Sequence, residues 1–400
     1  MEGIRVVELA AWTFVPAAGA VLAEWGAEVL KIEHPDGGDP QRGLISSGLV
    51  PGGPGGVNFF VEQPNHGKKS VAINVQHPDG LAALLRLCAT ADVFLTNLLP
   101  GALARAHLEV EDLRAANPNI VYVRGHGQGA RGPDADKGGY DGSAFFARSG
   151  VMQTLAYGVD PYGPTQPPAF GDLPGGQTVA GAIAAALLQR ERTGEAPVVD
   201  VSLLAFGMWV NAPDIVQSKL FGRPVPKMTR DSLPNPIVNR YLTKDGRLIQ
   251  LMMLQAVRFW PELLNALDRP DLADDERFAT PAGIFDNRVE ATRLLDEIFA
   301  ERTFAEWKEV LAPIKGVWSP VQQGLDLYDD PQVLANGYLG DAVTSDGHPF
   351  QLVTNPVQFD GQANTITRAP ELGEHTDDVL AAAGYSEDEI IQLKIDGAIL

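Results

Sequence analysis

The opening rhythm of the chain constrains its fold more than any other feature. Up to residue 124, short apolar, β-branched runs alternate with longer helical segments. Residues 4–9, 27–33, 70–75, 93–98 and 120–124 read as strands, and 15–25 and 80–90 as helices. Strands that are apolar on both faces are covered on both faces, the pattern of a parallel sheet wrapped by helices. The spacing predicts a doubly wound α/β domain, Rossmann-like, with ligands beyond the C-terminal strand ends.

Between residues 33 and 65 lies a loop rich in glycine and proline, of a length that is usually functional or mobile. A helix is expected near 177–192, then a mostly apolar stretch at 201–210. The texture changes near 225. Residues 237–242 and 248–253 read as a strand pair around a Lys-Asp-Gly turn, followed by helices at 257–267, 287–299 and 304–311. The expected organisation is a large α/β domain over 1–215, a smaller α+β domain over 225–325, and a return to the first domain over 330–400.

The formal charge of −20 argues against nucleic acid or an anionic membrane surface as partner. The single cysteine, Cys88, excludes internal disulfides and cysteine metal clusters. No leader-like start and no membrane-spanning run is evident, so a cytoplasmic location is expected. The residues after the first strand, Ala-Ala-Trp12-Thr13-Phe-Val-Pro, carry no dinucleotide glycine pattern. Gly67-Lys68-Lys69-Ser70 precedes a strand and has Glu62 where a phosphate loop needs glycine. The seven histidines show no metal-ligand spacing, and no Gly-x-Ser-x-Gly elbow exists. Arg42, Lys68, Lys69, Arg105, Arg124 and Lys137 fall near strand ends, and as a set suggest a polyanion such as a nucleotide diphosphate.

Asp172 stands out in Phe170-Gly171-Asp172-Leu173-Pro174-Gly175-Gly176, ahead of an alanine/leucine run. Glycines admit close approach of a ligand, and a helix start favours negative charge. Asp is equally at home there as a plain helix cap, the more ordinary reading on local sequence. Gly175 and Gly176 could present amides to an oxyanion, or simply form a tight turn.

Taken together, the segments resemble the class III CoA-transferase family, which also contains the α-methylacyl-CoA racemases. The resemblance rests on Gly3-Ile-Arg-Val-Val-Glu-Leu9, on Leu22-Ala-Glu-Trp-Gly-Ala-Glu-Val-Leu-Lys-Ile-Glu33, and on Gly38-Asp-Pro-Gln-Arg42. It continues through Asn65-His-Gly-Lys-Lys-Ser70, Ala91-Asp-Val-Phe-Leu-Thr-Asn-Leu-Leu-Pro-Gly101, Asp275-Glu-Arg-Phe-Ala-Thr280 and Ala369-Pro-Glu-Leu-Gly-Glu-His-Thr376. The order and spacing of these pieces run essentially end to end.

The resemblance implies that Asp172 is the nucleophile rather than a cap. It implies CoA contacts on or near His34, Arg42, Ile73, Gln76, Asn97, Leu98, Arg105, Lys137, Gly138 and Tyr140. It also implies an intertwined homodimer. Coenzyme A and acyl-CoA would be substrates, with no tightly bound cofactor and no metal, and a carboxylic acid the second partner. Trp12, Thr13 and Trp209 are candidates for the acyl pocket. The alternative is racemisation of a 2-methylacyl-CoA, which needs a second acid/base group opposite the aspartate. Family racemases supply a histidine in Gly-His-Asp; this chain has Gly139-Tyr140-Asp141, leaving only His126 as a distant substitute. A non-catalytic CoA-ester-binding protein is the third reading.

Overall fold

Six strands form one parallel sheet: β1 (Arg5–Leu9), β2 (Glu28–Glu33), β3 (Lys69–Ala72), β4 (Val93–Thr96), β5 (Val121–His126) and β6 (Val198–Ser202). Their order is β3-β2-β1-β4-β5-β6, every pairing parallel, in a computed structural model that describes residues 1–156, 163–226 and 228–400. The chain therefore has the doubly wound α/β fold its opening rhythm predicts. Strand order reverses between β1 and β4, the switch point where ligands of such sheets usually bind.

Successive strand residues face opposite sides, which divides the core in two. Val6, Val29, Val93 and Val121 share one cluster with α1 (Phe14–Glu24) and the long helix 172–193. Val7, Leu30, Phe94 and Tyr122 share the other with α2 (Pro78–Cys88) and the C-terminal helices. The final segment is tied to β3: Thr376 Oγ1 accepts the Ala72 amide at 3.0 Å, and Ile399 bridges Ile73.

Two compact units divide the chain. One comprises Met1–Leu155, Pro164–Leu220 and Pro331–Leu400. The body of the other is Phe221–Asp330, with its own antiparallel sheet of β7 (Arg240–Leu242), β8 (Leu248–Leu251) and β9 (Trp318–Pro320). Trp260, Trp307, Tyr241 and Phe299 fill its core. Among the described residues, no helix is long and apolar enough to cross a membrane.

Two departures from the sequence expectation matter for the site. The stretch after 197 is a sixth strand followed by a helix, Leu203–Val210, capped where Ser202 Oγ accepts the Ala205 amide at 3.1 Å. The helix expected near 177 begins five residues earlier and becomes α3 (Asp172–Thr193). Gly175 and Gly176 are therefore helical, not a turn before the helix.

Candidate active site

The loop after β1 is held from several directions. Asn97, in the loop after β4, accepts the Ala11 amide at 3.1 Å and donates to the Ala11 carbonyl at 2.7 Å. Asp39 accepts the Trp12 amide at 3.3 Å, and the fully buried Lys31 joins the Ala10 carbonyl (3.1 Å) to Asp39 (2.9 Å). Gln41 donates to Thr13 Oγ1 at 2.9 Å. These bonds hold Trp12 at φ 67, a left-handed backbone that costs a bulky residue about 1–2 kcal/mol. Its indole meets the Tyr140 ring edge-on, with centroids 5.7 Å apart.

The next residue, Asp141, reaches the start of α3. Its Oδ1 accepts the Gly171 amide at 3.0 Å, so the capping role belongs to Asp141. Asp172, the first residue of α3, is half-buried and accepts no hydrogen bond from a described residue. Burial, and then the negative charge of Asp141, push its carboxyl up to about 7. Burial also raises Asp141, against the pull of the amides it accepts. A carboxylate raised by burial and by a neighbouring charge is a candidate for a functional group.

Close approach explains the glycines. A Cβ on Gly171 would lie 2.3 Å from the Phe145 ring and 2.7 Å from Asp141 Oδ1. On Gly175 it would meet the Phe14 ring at 2.8 Å, and on Gly176 the Ala17 Cβ at 2.6 Å. The Gly175 amide donates to the Gly171 carbonyl at 2.9 Å. Its hydrogen bond lies within the helix, and both glycines serve the packing of α3 on α1 rather than forming a turn.

Of the residues singled out for CoA, Asn97 and Tyr140 lie beside the β1 loop. Leu98 follows β4, and the exposed His34 and Gln76 follow β2 and β3. Arg105, at the end of the helix Pro100–Arg105, is exposed. The Ile73 side chain is core. Arg42 is bidentate on Glu33, both contacts 2.7 Å, and Lys137 pairs with Asp134 at 2.6 Å. The expected convergence of free cations does not occur. Lys68 is fully buried against Glu8 at 2.8 Å, Lys69 pairs with Glu28 at the opposite, N-terminal strand ends, and Arg124 grips Asp200. Nothing in the local sequence marks Glu8 or Asp39 as partners; the register of β1 beside β2 sets Glu8 opposite Lys31, and Asp39 reaches Lys31 from the loop after β2.

His126 is also engaged elsewhere. Its Nε2 lies 2.9 Å from Asp200, which His126 and Arg124 hold down to about 2. His126 lines an open cavity of about 560 Å³ with Thr178, Ser202 and Trp209, and Asp172 is not in that lining.

The model of CoA-transferase family III matches residues 1–376. The chain belongs to that family. It is 31% identical over 396 residues to (R)-2-hydroxy-4-methylpentanoate CoA-transferase of Clostridioides difficile, covering 98% of each chain. It is 33% identical over 407 residues to cinnamoyl-CoA:phenyllactate CoA-transferase of Clostridium sporogenes, covering 100% of this chain and 97% of the relative. A solved CAIB/BAIF family protein from Brucella suis superposes with a TM-score of 0.80 at 29% identity, over 96% of this chain and 98% of that one. The protein is a CoA-transferase.

Proposed function

We propose that this CoA-transferase moves CoA from an acyl-CoA to a free carboxylic acid through covalent intermediates on Asp172. The supporting observation is that Asp141 caps α3, while the Asp172 carboxylate accepts no hydrogen bond from a described residue and is made basic by burial. Asp172 attacks the thioester carbonyl, the C–S bond breaks, and a mixed anhydride forms with release of CoA thiolate. The thiolate attacks the aspartyl carbonyl, giving an enzyme thioester and the free donor acid. The incoming carboxylate attacks that thioester and expels the thiolate, which then takes the new acyl group and restores Asp172. Each step exchanges bonds of similar energy, the advantage of covalent catalysis.

CoA is assigned to the face bearing His34, Gln76, Asn97, Leu98, Arg105 and Tyr140, with the backbone of Ile73 at its edge. Arg42 and Lys137 would reach a phosphate only by leaving Glu33 and Asp134. A homodimer fits the exposed apolar residues Met208, Trp209, Val210, Val216 and Leu220, which a monomer leaves in water. Racemisation lacks its second base: Tyr140 stands where family racemases have histidine, and His126 is held by Asp200.

Asp172→Ala should abolish exchange while leaving CoA binding within about threefold, since it removes a bond-forming group rather than a binding one. Acyl-CoA followed by hydroxylamine or borohydride should tag Asp172. No adduct with any productive donor sinks the covalent route, and α-proton exchange in deuterated water without an acid acceptor reverses the choice against racemisation.

A further inference from the structure

Five aromatic rings surround the start of α3. Phe14 lies under Gly175, and Phe145 closes on Gly171 and packs edge-on against Phe170, with centroids 6.1 Å apart. The Trp12–Tyr140 pair stands beside them, because Tyr140 immediately precedes the capping Asp141. Two carboxylates share this spot: Asp141 accepts the Gly171 amide, and its charge raises Asp172. The nearby cations are engaged elsewhere: Lys31 with Asp39, Lys68 with Glu8, Arg42 with Glu33 and Arg148 with Asp134. Among the described residues, these pairings leave rings and carboxylates as the groups around the start of α3.

We propose that the acids exchanged at Asp172 are monocarboxylic acids with an apolar or aromatic tail, selected by the Trp12 indole. The inference rests on Asp172 as the reacting group and adds the class of acid it accepts. A dicarboxylate would carry its distal charge towards the carboxylate of Asp141, where like charges repel. The strained backbone of Trp12 agrees with this. Asp39 and Asn97 hold the loop whose indole faces Tyr140.

The test uses the full chain with hexanoyl-CoA as donor. Hexanoate and 3-phenylpropanoate are compared with adipate and glutarate as acceptors. The monocarboxylates should show kcat/KM at least about tenfold higher, the scale on which a single pocket contact discriminates. Trp12→Gly removes the ring where glycine is conformationally at ease, so the variant should fold. It should erase about tenfold of that preference, mainly through KM for the apolar acid. Equal or better use of the dicarboxylates overturns the inference, as does an unchanged preference in Trp12→Gly. If hexanoyl-CoA acylates Asp172 and the dicarboxylates are still preferred, only the choice of acid is wrong. If it leaves Asp172 unmodified and no acceptor is used, the covalent reading falls and takes this inference with it.

Discussion

At the scale of single residues, two neighbouring carboxylates differ in their bonding to the helix start. Asp141 accepts the Gly171 amide, and Asp172 is left basic. Nucleophilic attack requires the ionised form, so kcat/KM should rise with pH through about 7 and level off above it. Asp141→Asn keeps an oxygen for the amide but removes the neighbouring charge, so the acid limb should move to lower pH. A limb that stays in place assigns the titration to another group. The same shift affects stability. Between about pH 4 and 7 the folded state holds a proton on Asp172 that the unfolded chain has released, so stability falls as pH rises through that window. Asp172→Asn should therefore stabilise the protein at pH 8 by roughly 1–2 kcal/mol while remaining inactive. Denaturant midpoints at pH 4 and pH 8 check this, and an equal effect at both refutes it. The sequence showed Asp172 and its glycines plainly, yet could not separate nucleophile from cap. The cap is Asp141, thirty-one positions upstream and brought near by the fold, and the nucleophile's role of Asp172 is the one proposed above.

At the scale of elements, the contact of α3 with α1 fixes where Asp172 sits. Gly176→Ala would drive a methyl to 2.6 Å from Ala17 Cβ and 2.8 Å from the Phe14 carbonyl. We expect a loss of about 1–3 kcal/mol and a fall in kcat larger than any change in CoA binding, as the helix start is displaced. Calorimetry and steady-state kinetics test both parts. The buried ions under the β1 loop are a second brace. Lys68→Met would leave Glu8 facing Lys31 alone at 3.5 Å and should cost about 3–5 kcal/mol. A change below 1 kcal/mol would show that Glu8 is satisfied without Lys68. Apolar, β-branched runs made β1, β2, β4 and β5 legible. Strand β6 was not, because its Val-Val-Asp-Val-Ser run includes an exposed aspartate that pairs with Arg124 and His126. The helix start was hidden by Pro174 and two glycines, residues that read as a loop until their packing is known.

At the scale of the whole molecule, the large unit closes only when the end of the chain returns to it. Val379, Leu380, Ile390, Leu393 and Ile399 belong to the same buried cluster as Leu30, Val71 and Leu84. Fully burying side chains of this kind contributes about 1.5–3 kcal/mol each, so together they rival the net stability of a domain. Residues 221–330 draw on a separate core of Trp260, Phe278, Phe299 and Trp307. A chain ending at residue 371 should therefore lose the cooperative unfolding of the α/β unit, with β3 stripped of the Thr376 and Ile399 contacts. An isolated 221–330 fragment should fold by itself, with a near-ultraviolet signal from its packed tryptophans. Amide exchange on the truncated chain distinguishes the two units: protection should vanish from β1–β4 and persist in β7 and β8. Protection retained in β1–β4 would show that the sheet is complete without its C-terminal cover, and that the returning segment serves another purpose.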